Sequence, residues 1–420
     1  QYVLILGDAE LVPPRQVYDP FPYTGAPEIE NGTIPTDRYY ECLDGTWNAD
    51  GDNIYGEPED NVDWYPEVIV GRIPVDNLEQ LKRYLSRLIL YEQAPMIGDW
   101  RRRALLLGAQ GFEPQDGADF FYNVIQNFIS YTDYIPVKLY DTMLSPDDNL
   151  TTENTIYWLE EGVTICNFWD HGSPDTWWQN VYSTGGEPLL SSPNVYRDIR
   201  ITYPMYPFVF AMACSTIPYD HEHLDDNIGE SWFKSQTTIA VGYFGASRIA
   251  FAGDNGFDGL NYRWWNVIKD FWINYRSQIT GVLISQALIR HISDHYPVDD
   301  FVSYKTIMES AFAGDPYIPL PISDKLIIEP NNELYVTDPG DKVRVSGYVY
   351  NISGSGVVVN ISAKVFSFDA DLLSINTTIS NASGYFQLEL RIPDSVAPGY
   401  YILSIVARGD EEIGRIGCRL

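Results

Sequence analysis

Val163-Thr-Ile-Cys-Asn-Phe-Trp-Asp170 runs straight into His171-Gly172-Ser173, and Phe208-Val-Phe-Ala-Met-Ala213 runs into Cys214-Ser215. Each is a short, continuous apolar run that stops at a chemically reactive side chain. Continuous rather than alternating hydrophobicity marks a strand buried on both faces, as in a parallel sheet covered by helices. Two neighbouring strands of this kind would deliver His171 and Cys214 side by side at their carboxyl edge, where open α/β sheets hold ligands. In that arrangement a thiolate attacks a carbonyl carbon and an imidazole protonates the leaving amine. Gly172 lets the backbone approach a substrate, so its N–H and that of Cys214 form the expected oxyanion hole. The bland alternative makes Cys214 a small buried hydrophobe and His171 a loop residue. Against it stands the position of both residues directly after apolar strands, with glycine following the histidine.

Outward from this pair, residues 1–323 alternate strand and helix patterns. Further strands are expected at Tyr2–Leu6, Glu67–Val70, Ala104–Leu107 and Thr238–Tyr243. Helices are expected at Asn77–Gln93, capped by Asp76, and at Ala118–Ser130, Thr152–Glu161, Trp264–Asn274 and Gln278–Ser293. Near residue 320 the pattern changes: Pro316, Pro319 and Pro321 are followed by short alternating strands with Gly, Asn and Pro turns. That rhythm predicts an all-β sandwich of immunoglobulin type over 324–420, with a structural or adhesive role. The rest divides into a first α/β subdomain, 1–100, and a second, 101–323, which carries the Cys-His pair.

The 420 residues hold 58 acids against 27 bases, a net charge of −31. Residues 324–420 contain 12 acids and 8 bases, so the acidity lies mostly in the α/β part. Such a field repels polyphosphate and excludes a basic nucleic-acid surface, and it favours calcium or cationic substrates. There is no run of 18 apolar residues, hence no membrane span. Cys42, Cys166, Cys214 and Cys418 are widely spaced, with no zinc pattern. Six Asn-x-Ser/Thr sequons, four of them after residue 350, agree with an extracellular or cell-surface protein. A pro-segment removed ahead of Gln1 is part of that expectation.

The chain resembles the gingipain-type cysteine peptidases, peptidase family C25 of the caspase-like clan CD. His171-Gly172-Ser173 and Ala213-Cys214 carry the resemblance. Gly7-Asp8 with Val12-Pro13-Pro14, Thr36-Asp37-Arg38-Tyr39-Tyr40, Val70-Gly71-Arg72-Ile73-Pro74 and Phe312-Ala313-Gly314-Asp315-Pro316 support it in the same order. The resemblance implies a caspase-like fold of two subdomains, mostly parallel sheets flanked by helices, followed by an immunoglobulin-like module. It also implies a secreted endopeptidase that acts on proteins or peptides, with Cys214 as nucleophile and His171 as general acid and base. Some relatives add an orienting glutamate after the strand matching Ala104–Leu107; here Gln110 falls at that position, with Glu113 close by. An aspartate farther on faces a basic P1 side chain in arginine-specific relatives, and Asp119 or Asp116 matches it. Those two acids would equally suit the start of a helix.

A second constellation, Asn48 to Glu59, spaces oxygen ligands as a hard cation requires. Asn48, Asp50, Asp52, the Ile54 carbonyl and Glu59 fall at positions 1, 3, 5, 7 and 12 of an EF-like loop. A structural Ca²⁺ is therefore expected and no catalytic cofactor; a solvated acidic hairpin is the alternative. Trp177, Trp178, Trp264 and Trp265 are read as core before subsite walls, and His221, His223, His291 and His295 as solvated surface. Two rival functions stay open: a binding or adhesion protein on an inactive peptidase scaffold, and a relative that cleaves after Asp or Asn.

Overall fold

Nine strands line up in one sheet. In chain order they are β1 Tyr2–Leu6, β2 Ile69–Ile73, β3 Arg103–Gly108, β4 Ile135–Tyr140, β5 Asp148–Asn149, β6 Ile165–Trp169, β7 Phe208–Met212, β8 Gly242–Ala246 and β9 Ser310–Gly314. The order across the sheet is β1-β2-β9-β8-β7-β6-β3-β4-β5. In this computed structural model the description covers residues 1–25, 31–111, 116–141, 146–179, 186–221, 227–410 and 412–420. The central strands β6, β7 and β8 are buried at every position, which is why their sequences do not alternate. All neighbours pair in parallel except β8 and β9, which run antiparallel from Gly242↔Gly314 to Ala246↔Ser310. The sheet therefore has two halves of opposite direction. Strand β9 comes from the 101–323 stretch, yet it sits in the half formed by β1 and β2.

Helices cover the sheet: α1 Leu78–Gln93, α2 Gly117–Asn127, α3 Thr152–Glu160, α4 Ile228–Lys234, α5 Phe257–Tyr275, α6 Thr280–Asp294 and α7 Phe301–Glu309. Their starts follow capping chemistry. Asp116, Thr151, Asn227 and Asp300 each accept a backbone N–H of the first turn. At α1 the acceptor is Asn77, which takes the N–H groups of Glu79 and Gln80, and not the expected Asp76. Helix α5 begins seven residues before its expected start at Trp264, since Gly256 ends the loop and Asp258 enters the first turn.

The chain divides into two units. The first holds residues 1–81, 102–201 and 206–318; the second holds 82–101, 202–205 and 319–420. Two antiparallel sheets form most of the second. One is β10 Leu326–Pro330, β11 Lys342–Asn351 and β14 Tyr385–Arg391; the other is β12 Asn360–Phe366, β13 Leu372–Ile379, β15 Ile402–Arg408 and β16 Ile413–Arg419. Strands β11 and β14 alternate buried and exposed residues, whereas β15 is buried on both faces. One face of each sheet joins a common core that includes Val345, Val349, Leu388, Leu403 and Ile405. Ile402 and Phe366 instead pack on Leu90 and Ala94, and the Ser404 hydroxyl donates to the Gln93 carbonyl at 2.5 Å.

Candidate active site

Strands β6 and β7 are adjacent, in register from Ile165↔Phe208 to Trp169↔Met212. They end together, so Asp170-His171 and Ala213-Cys214 leave the sheet at one edge. Gly172 lies directly against the cysteine: a Cβ there would come within 2.5 Å of the Cys214 carbonyl oxygen and 2.9 Å of the Ala213 Cβ. Only glycine lets these two backbones approach so closely.

Cys214 is half-buried and not disulfide-bonded, with its Sγ 3.5 Å from the Ala250 carbonyl oxygen. The next residue, Ser215, adopts a left-handed conformation with φ 49°, a conformation that non-glycine residues rarely hold without surrounding support. The support comes from the segment after β8. The Ser215 N–H donates to the Arg248 carbonyl at 2.8 Å and the Ile217 N–H to the Ala246 carbonyl at 3.1 Å. Arg248 is itself fixed by a bidentate pair with Asp220, at 2.9 and 2.8 Å, and by the Thr33 carbonyl at 2.8 Å.

His171 is 28% exposed, and burial lowers its pKa. Its Nε2 lies 3.2 Å from the Gly111 carbonyl oxygen. Because a carbonyl oxygen can only accept, that contact makes Nε2 the protonated nitrogen of the neutral ring and Nδ1 the one without a proton. The preceding side chain, Asp170, is fully buried, with Oδ1 4.0 Å from His171 Nε2. Loss of solvation, reinforced by Asp141 and Asp116, pushes its carboxyl pKa up to about 7.

In the segment expected to supply an orienting side chain, the contact to the histidine is made by the main chain. Gln110 contributes a main-chain N–H, which donates to Asp141 Oδ2 at 3.2 Å, and the neighbouring Gly111 supplies the carbonyl. Glu113 lies outside the described residues, as does His223. Asp116 caps α2, accepting the Ala118 N–H at 2.7 Å, and burial raises its pKa; Asp119 is exposed in the same first turn. Trp177, Trp264 and Trp265 are core residues, while Trp178 is half-buried and donates to the Ser173 hydroxyl at 3.0 Å. His291, expected on the surface, is fully buried in α6.

In the acidic loop, Asp50, Asp52 and Glu57 bring carboxylate oxygens within 4.8 Å of one another, which suits a hard cation. Glu57, and not Glu59, joins the two aspartates, because the chain turns at Gly56, φ 80°. Asn48 Oδ1 accepts the Asn53 N–H at 3.3 Å, and the exposed Ile54 donates its N–H to Asp52. Buried Asp60 ties the loop ends together through the N–H groups of Ala49, Gly56 and Glu57. The Glu57 pKa is raised by lost solvation and then by Asp52, Asp50, Glu59 and Asp60.

Comparison with known proteins gives one consistent answer. The model of peptidase family C25 matches residues 1–321. Gingipain R2 of Porphyromonas gingivalis is 29% identical over 169 residues, 39% of this chain and 21% of its own length. Lys-gingipain of the same organism is 20% identical over 283 residues, 67% of this chain and 14% of its own. The chain thus spans about a fifth or less of these curated relatives. Among solved structures, the Arg-specific cysteine proteinase gingipain R aligns with a TM-score of 0.57 at 16% identity, covering 99% of this chain and 83% of that one. The complex of the RgpB pro- and mature domains aligns at 0.56 and 16% identity, covering 99% and 85%. This likeness establishes the caspase-like peptidase fold.

Proposed function

Since this chain belongs to peptidase family C25, we propose that it is a cysteine endopeptidase acting through Cys214 and His171. The observation that carries the reading is the shared exit of β6 and β7, with Gly172 packed on the Cys214 backbone. The Cys214 sulfur attacks the scissile carbonyl, and the oxyanion is received by the N–H groups of Gly172 and Cys214. His171, donating from Nε2 to Gly111, takes the thiol proton at Nδ1 and returns it to the leaving amine. Water then enters with the same imidazole as base, and the acid product leaves.

Specificity for Arg or Lys at P1 is part of the proposal. It rests on Asp116 and Asp119 at the start of α2, and on relatives whose names record Arg and Lys specificity. The two-sheet unit is read as an immunoglobulin-like module, and the protein as extracellular or surface-bound after release of a pro-segment; a solved relative is held with its pro-domain. No helix among the described residues is long and apolar enough to cross a membrane.

Biotinylated chloromethyl ketones with P1 Arg, Lys, Asp or Asn test this reading, with mass spectrometry locating the label. Arg and Lys probes are expected on Cys214. Labelling by Asp or Asn probes alone would reassign specificity, and no labelling of processed protein would favour a binding scaffold.

A structural Ca²⁺ held by Asp50, Asp52 and Glu57 completes the proposal. Because an ion that binds only the folded state stabilises it by mass action, calcium is expected to raise the unfolding midpoint relative to chelator. The double change Asp52→Asn, Glu57→Gln should remove the difference. An equal response in both proteins would refute the site.

A further inference from the structure

Asp170 lies next to the catalytic histidine in sequence and behind it in space, yet the proposed mechanism gives it no part. Its side chain has no exposed surface, and Oδ1 is 4.0 Å from His171 Nε2. Neither carboxylate oxygen has a hydrogen-bond partner of ordinary geometry among the described residues. The carboxylate is pressed against Gly111, where a Cβ would come within 2.2 Å of Oδ1. This is the same residue whose carbonyl receives His171 Nε2. A buried, unpartnered carboxylate is costly, and a fold keeps one where its charge has a use.

Resting on the peptidase reading above, we infer that Asp170 is a positioning residue whose ionised carboxylate holds positive charge on His171. The imidazolium exists only while His171 carries the Cys214 proton. The Gly111 carbonyl supplies direction and a partial charge; Asp170 supplies the full negative charge behind the same nitrogen. The step is a proton transfer only: sulfur loses the proton, Nδ1 gains it, and Asp170 takes no proton from the imidazole.

The charged groups facing Asp170 set when it can act. Asp141, after β4, and Asp116, at the start of α2, oppose its ionisation; the His171 backbone N–H favours it, and the His171 ring lies 4.0 Å away. Since the Asp170 pKa is raised to about 7, the carboxylate forms as pH rises through neutrality. Support for the imidazolium is therefore present above pH 7 and lost below it. The stability effect has the opposite sign. A carboxyl whose folded pKa is raised favours the fold while protonated and loses that contribution as pH rises through the folded pKa. Asp170 thus weakens the fold in the pH range where it assists the histidine.

The test compares wild type, Asp170→Asn and Asp141→Asn in hydrolysis of the substrate type identified by labelling, with Cys214→Ala as blank. At pH 8, Asp170→Asn is expected to lower kcat roughly 10- to 100-fold with little change in KM. Its acid limb near pH 7 should disappear, leaving only the lower titration of His171, while its unfolding midpoint at pH 8 should rise. Asp141→Asn removes an opposing charge and should move the wild-type limb to lower pH. Iodoacetamide alkylation of Cys214 provides a second readout, and its profile should shift to higher pH in Asp170→Asn.

An active wild type whose limb and rate survive Asp170→Asn would overturn the inference and leave the peptidase reading intact. So would an unmoved limb in Asp141→Asn, which decides the matter should Asp170→Asn not fold. A wild type that neither hydrolyses nor takes label would overturn both readings.

Discussion

Changing Cys214 to Ala is expected to lower kcat/KM by roughly 10⁴- to 10⁶-fold, leaving the unfolding midpoint almost unchanged. The two halves of this expectation come from different parts of the site. Activity is expected to collapse because the proposed acyl intermediate forms on the Cys214 sulfur, and the adjacent Ser215 has a buried Oγ at a left-handed turn. Stability survives because the thiol is half-buried and its contact to the Ala250 carbonyl is long, at 3.5 Å. The turn itself is held by main-chain bonds from Ser215 and Ile217, which alanine at 214 leaves in place. Steady-state kinetics on Arg or Lys substrates and a thermal melt check both halves. Retained activity would remove Cys214 from the mechanism.

The second large effect is expected in the two-sheet unit, where one carboxylate serves two arginines. Asp324, 5% exposed, accepts from Arg415 Nη2 and Nε at 2.7 and 3.0 Å through Oδ1, and from Arg101 Nη2 at 2.7 Å through Oδ2. Oδ2 also takes the Arg415 N–H at 2.9 Å. Burial pushes the Arg101 pKa down, and Asp324 is the main counterweight. Asp324→Ala leaves two guanidinium groups without their counter-ion and is expected to cost about 3–5 kcal/mol. Denaturant unfolding of this unit measures it, with the exposed Arg408→Gln as a control near zero. A loss below about 1 kcal/mol would mean that the arginines find enough support in the carbonyls of Pro321, Glu92 and Arg415 itself.

The strands that matter to the site were legible because their hydrophobicity is continuous: Phe208–Met212 is found as expected, and Ile165–Trp169 differs only at its ends. Strand β4 was missed because Pro136 and Lys138 interrupt its apolar run, and β9 because Ser310-Ala-Phe-Ala-Gly314 carries little side-chain signal. In the second unit, β13 was missed because its leucines and isoleucines do not alternate regularly with its polar residues and no residue of it is buried. At the site, side chains at strand ends could be read, whereas the histidine's acceptor is a main-chain carbonyl, which no residue type advertises. Asp170 was visible beside His171, but nothing in the sequence says that its side chain turns inward. The acidic loop shows a third limit: counting by twelve chose Glu59, and the turn at Gly56 brought in Glu57.

The reversal of direction between the two halves of the sheet also bears on how the chain acquires its shape. Strands β1 and β2 leave the ribosome before the other strands of this sheet, but they reach the rest of it only through β9, made near the end of the first unit. Until Ser310–Gly314 emerges, β2 has one open edge and β8 another, and both carry apolar residues. Such long-range closure is slow, and open edges invite pairing with other chains. Nascent protein interrupted before residue 310 is thus the form most prone to aggregate, and completion of β9 is the moment at which the two early strands become part of the sheet.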